Sequence, residues 1–198
     1  MTDVESAGSL QPGDAGVGRV TPKVITHWPS LVGVGVVVVL AVIGLQTHMT
    51  AMIIMMAALS VLLTAALGRP GAAWFVLPAI GGVAALGMAT SLDAIVLLLV
   101  LAAMGVAFGL LRLPRRTWGS LLLEFAAFVV VAVLALGAMM ITPIAATILV
   151  GVVALAHGSW CAARLRRRNI VPRVYAELLA VVEFGLAIVT LIMAISGW

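Results

Sequence analysis

Beyond residue 28 the chain is a succession of long apolar runs separated by short polar breaks, and the breaks alternate in kind. One set carries cations: Arg69, then Arg112, Arg115 and Arg116, then Arg164, Arg166, Arg167, Arg168 and Arg173, with Arg19 and Lys23 ahead of the first run. The other set, at Gln46-Thr47-His48, Thr90-Ser91-Leu92-Asp93 and Thr142-Pro143, carries none. A helix needs about 20 apolar residues to cross the hydrocarbon core. Each interval between cation clusters therefore holds two spans, and the stretch after Arg173 holds one. The predicted spans are 31–45, 49–67, 72–89, 94–111, 118–141, 144–163 and 175–196.

Lys and Arg collect in cytoplasmic loops. The pattern thus predicts an all-α polytopic membrane bundle of seven transmembrane helices, with the amino terminus in the cytoplasm and the carboxyl terminus outside. The first span is the shortest. If it failed to cross, six spans would remain and residues 1–28 would face outward. Those residues contain Gly, Pro, Asp and Ser with no apolar run. They read as a disordered cytoplasmic tail without the hydrophobic region of a cleavable signal, leaving 29–198 as the transmembrane domain.

Composition agrees, with 64% apolar and 9% charged residues and a mean hydropathy of +1.29. The isoelectric point of about 10.6 invites a nucleic-acid reading. The cations flank spans instead of forming a stripe, so topology and anionic headgroups account for them and no nucleic acid is expected. Trp28, Trp74, Trp118, Trp160 and Tyr175 fall near expected cytoplasmic helix ends and Trp198 at the outer terminus, as an interfacial belt requires. The single cysteine, Cys161, excludes an intramolecular disulfide.

Small residues suggest how the helices meet, because lipid supplies no hydrophobic drive for their association. Gly105 and Gly109 make a GxxxG pair on the fourth span. Gly81, Gly82 and Ala85 form a similar face on the third, where Pro78 predicts a kink. Contact of Gly105 and Gly109 within the chain is the simpler use; a second copy or a partner membrane protein is the other. Asp93 and Ser91 are expected to cap the fourth helix, and Thr142 to cap the sixth, with Pro143 at its first position.

Chemistry has to reside in the ionisable groups that insertion discourages. Glu124, His157 and Glu183 fall in the expected cytoplasmic half, the first two roughly 10 Å and the last roughly 15 Å inside their flanking arginines at ~1.5 Å per residue. A shared depth would let them form one polar pocket that shares a proton or holds a cation. The plainer alternative is an interhelical hydrogen bond that only fixes packing. Leu123-Glu124-Phe125 and Val182-Glu183-Phe184 match locally on two parallel helices, a faint sign of duplication. Glu177 lies four residues from Arg173, suited to an interfacial ion pair. His157 and Cys161 share a helix face, but two ligands do not make a metal site, and none is expected. Met49, Met52, Met55 and Met56 beside His48, with Met88, Met139, Met140 and Met193, raise a copper(I) environment; apolar filler explains them better.

Several classes fall away. A retinal protein needs a lysine in its last helix, and the only lysine is Lys23. A haem held by two histidines needs them at one depth, whereas His48 and His157 lie near opposite faces. No phosphate loop and no Ser/His/Asp set is present, and no cofactor is expected. The stretches 121–128 and 160–164, Glu177-Leu178-Leu179 and Glu183-Phe184-Gly185-Leu186-Ala187 resemble the YrdB-like small multi-pass bacterial membrane proteins. That resemblance covers the last three helices, implies a bacterial plasma-membrane protein of unknown activity, and assigns no site residue. Function then reads as a small transporter or ion-coupled permease using Glu124, His157 and Glu183. The alternatives are a structural or accessory membrane subunit and, third, a membrane-embedded enzyme or sensor of a lipid-soluble ligand.

Overall fold

In a computed structural model of the chain, residues 28–44, 46–90, 92–165 and 171–196 are described. Residues 1–27 of the expected 1–28 tail, the Ser91 cap, Arg166, Arg167, Arg168 and Trp198 lie outside them, whereas Trp28 begins the first helix. Seven α-helices and no strand are found among the described residues: α1 (Trp28–Ile43), α2 (Thr47–Leu67), α3 (Ala73–Ala89), α4 (Ala94–Arg112), α5 (Trp118–Ala138), α6 (Pro143–Arg164) and α7 (Arg173–Ser196). Single 3-10 turns, Pro70–Ala72 and Arg115–Thr117, lead into α3 and α5. Helices α2 to α7 are long and apolar enough to cross a membrane. The 16 residues of α1 span ~24 Å, short of the ~30 Å hydrocarbon core.

Local chemistry sets the boundaries. The Asp93 carboxylate accepts from the Ile95 N–H at 2.8 Å, the expected cap of α4. Gly68 ends α2 in the left-handed region (φ 62°), a conformation a side chain disfavours. Helix α5 stops three residues before the expected 141. The N–H groups of Met139 and Met140 turn back to the carbonyls of Leu136 and Gly137, and Pro143 forces Thr142 into an extended conformation (ψ 148°) that no helix continues through. Thr142 holds the N-cap position of α6, but its hydroxyl makes no capping bond. Pro143 has no N–H to satisfy, which lessens the need for one. Helix α3 runs on through Pro78 to Ala89.

Helix α2 is the axis of the bundle, buried on most of its surface, with α3, α4, α5 and α6 packed around it. The most extensive helix pair is α6 with α7, and α1 lies along the outer side of α7. Glycines mark the close approaches. A Cβ on Gly109 would stand 3.1 Å from the Ala66 Cα, and one on Gly105 2.2 Å from Leu63 Cδ2, so the small face of α4 is filled by α2. Gly33 and Gly185 do the same between α1 and α7, against Val181 and Val37.

The cation-bearing turns gather at one end. Trp28 stacks on Trp74 at 5.7 Å and Trp74 meets Tyr175 edge-on at 5.4 Å, which joins the starts of α1, α3 and α7. Gly68 lies against Leu113, so the α2–α3 and α4–α5 turns are neighbours at that end. The opposite end is marked by a 2.9 Å hydrogen bond between Thr47 and Thr147. Polarity runs from inside to outside in the sense opposite to a water-soluble protein. Leu111 is 89% exposed, Val42 81% and Phe75 79%, whereas Ser60, Thr64 and Glu183 are completely buried. A continuous apolar exterior of this kind fits lipid.

Candidate intramembrane polar site

On α6, His157, Cys161 and Arg164 follow at spacings of four and three and so occupy one helical face. Gly158 lets α7 close on that face, for a Cβ there would lie 3.2 Å from the Glu183 Cβ and 3.5 Å from the Phe184 nitrogen. Glu183 thereby reaches His157. The imidazole Nδ1 and the carboxylate Oε1 are 2.6 Å apart, with Glu183 fully buried and His157 nearly so. A hydrogen bond between these two atoms requires one shared proton. With Nε2 protonated as well the pair is neutral overall, the state a lipid-embedded interior favours.

Glu124 takes a different partner. Its carboxylate Oε2 accepts from the Arg164 guanidinium, which also lies over the Trp160 ring at 5.4 Å. The structure therefore joins His157 to Glu183 and Glu124 to Arg164, two pairs instead of one triad. Seven residues separate His157 from Arg164, ~10 Å along the helix. Sequence reasoning missed Arg164 as the partner of Glu124, because its spacing from His157 fixes a face of α6 but not which carboxylate of another helix meets that face.

A third polar contact lies beside these. The Tyr175 hydroxyl donates to Ser60 Oγ at 2.6 Å, and Ser60 donates to the Ala57 carbonyl at 2.7 Å, tying α7 to α2. Cys161 places its sulfur 3.9 Å from His157 Nδ1. His157, Cys161 and Glu183 thus offer three ligand-type atoms within 4.8 Å of one another, where the sequence showed two. Three buried polar atoms nearby have no hydrogen-bond partner among the described residues: Trp160 Nε1, Arg164 Nη1 and Glu183 Oε2. Between α5 and α6 an apolar groove of about 320 Å³, walled by Val130 and Val153 among others, ends on His157 and Trp160.

The remaining residues singled out from the sequence fall elsewhere. Glu177 accepts from Ser30 Oγ on α1. Met52 and Met55 are buried in the apolar core and Met56 packs against it, while Met49 and His48 are exposed at the end of the bundle away from the cations. Gly81 and Gly82 have no neighbouring atom where a side chain would stand.

No protein-family model, curated protein or solved structure matches this chain.

Proposed function

We propose that this protein is a small ion-coupled permease of a bacterial plasma membrane, crossing seven times with its amino terminus and cation-bearing turns in the cytoplasm. Six helices compatible with crossing support the membrane reading, and the gathering of arginines at one end supports the orientation. The observation that carries the transport reading is the fully buried Glu183 in direct hydrogen bond with His157. An ionisable pair at such depth is expensive to keep and marks ion and proton pathways by default. A neutral pair of this kind gives up one proton when a cation arrives and takes it back when the cation leaves.

Replacing Glu183 with Gln keeps the side chain's shape and a hydrogen bond while removing the exchangeable carboxyl. In proteoliposomes the E183Q variant should lose proton-coupled cation flux while its thermal unfolding in detergent changes little. Flux equal to wild type would rule the site out.

An accessory-subunit reading has one observation in its favour. Gly82 and Ala85 are exposed on the outer face of α3, free to take a partner helix. Gly105 and Gly109 are not available for that role, because Leu63 and Ala66 already fill their space.

A further inference from the structure

His157 Nδ1 lies 2.6 Å from Glu183 Oε1 and 3.9 Å from Cys161 Sγ, and all three residues are buried. Around a tetrahedral ion with bonds of ~2.0–2.3 Å, neighbouring ligand atoms stand roughly 3.3–3.6 Å apart. The thiol and imidazole are already near that spacing. The imidazole and carboxylate are hydrogen-bonded to each other and so closer, and they need to part by about 0.7 Å. A second observation points to an occupant: Glu183 Oε2 is buried with no hydrogen-bond partner among the described residues. A carboxylate oxygen left so is costly unless something binds it.

We propose that His157, Cys161 and Glu183 bind one divalent transition-metal ion of the zinc class in exchange for two protons. The donor set decides the class. Magnesium and calcium take oxygen ligands, whereas an imidazole with a thiolate selects ions such as Zn²⁺, Co²⁺ and Ni²⁺. Only the deprotonated thiol and the bare Nδ1 can ligate. The S–H proton of Cys161 and the proton shared by His157 and Glu183 therefore leave as three bonds to the metal form, and Nε2 keeps its own. No electron is transferred. The empty site is neutral, and the filled site, with a dication, a thiolate and a carboxylate, is neutral too. Exchange on these terms adds no net charge to the membrane interior.

The other ionisable groups facing the cluster leave that balance intact. Arg164 on α6 is paired with Glu124 of α5, and Tyr175 of α7 is bonded to Ser60 of α2. Among the described residues, α1 and α3 carry no ionisable side chain. Three protein ligands leave a fourth position open, as sites that exchange their ligands do, whereas structural zinc sites are closed by four. Metal binding follows from the geometry of the cluster and the unpartnered Oε2; the ion as the permease's cargo rests on the transport reading above.

The test uses the full chain in detergent under reducing conditions, with Co²⁺ as the optical probe and Zn²⁺ as competitor. One Co²⁺ per chain, a thiolate-to-cobalt absorption band, displacement by Zn²⁺ and release of two protons per ion are expected. The C161A variant, which places one more alanine beside Ala162 and Ala163, should fold, lose the band and bind at least about tenfold more weakly. A band that survives C161A, or no stoichiometric binding by folded wild type, overturns the proposal. Proton-coupled flux that persists in chelator, with no Co²⁺ bound, would refute the metal site and spare the permease. Co²⁺ bound as described, with no flux of any cation, would uphold the site and refute the permease.

Discussion

Arg164 stands at the end of α6, where a long cationic side chain could extend toward the headgroups, yet its guanidinium turns inward to Glu124. The reason is the carboxylate. Unpaired and buried, Glu124 would cost several kcal/mol, and Arg164 is the cation whose helix position brings it within reach. Removing one member of such a pair strands the other. Arg164→Ala should lower stability by about 3–5 kcal/mol in equilibrium unfolding, and adding Glu124→Gln should recover part of that loss. A loss below ~1 kcal/mol would mean the pair is solvated.

Which residues are costly was legible in the sequence; their partners were not. Glu124, His157 and Glu183 are visible because a charged or imidazole side chain inside an apolar run is rare. Their pairing depends on the rotation of α5, α6 and α7 about their axes. Runs apolar on every face carry little record of rotation, since periodicity needs a polar face to measure against. Cys161 shows the same limit: its spacing from His157 was plain, but Glu183, the third member of the cluster, arrives from another helix.

At the scale of elements, helix bounds were readable from Gly, Pro and the cations, whereas packing faces had to come from the structure. Gly109 and Gly82 make the contrast. Both sit inside helices, where Ala is intrinsically better than Gly by ~1 kcal/mol. A methyl on Gly109 would meet the Ala66 Cα at 3.1 Å and Leu121 Cδ2 at 2.7 Å, so α4 and α2 must part. Gly82 faces open space. Gly109→Ala should therefore destabilise by about 1–3 kcal/mol, while Gly82→Ala is neutral or stabilising. Parallel thermal unfolding of the two variants in one detergent reads the difference, and equal effects would contradict the α2–α4 packing.

At the scale of the molecule, the alternation of cationic and uncharged breaks became an arrangement with Arg69, Arg112, Arg115, Arg116, Arg164 and Arg173 toward one end. The first crossing is the sensitive part, because α1 is short, although it runs beside α7 with Ser30 bonded to Glu177. In a C161A background, single cysteines at Thr21 and Thr117 should label from the cytoplasm and one at Thr90 from outside. Opposite labelling of Thr21 and Thr117 would show that α1 does not cross, leaving six spans.

Coupled transport turns on one physical event, a proton entering and leaving the buried pair of His157 and Glu183. Infrared difference spectra of the protein in lipid, recorded on acid and base jumps, report protonated carboxyl groups directly. A carboxyl band that changes reversibly with pH in wild type and is missing in E183Q is the predicted result. Spectra of wild type and E183Q that coincide at every pH would mean that no proton reaches Glu183, and the pair would then serve packing alone.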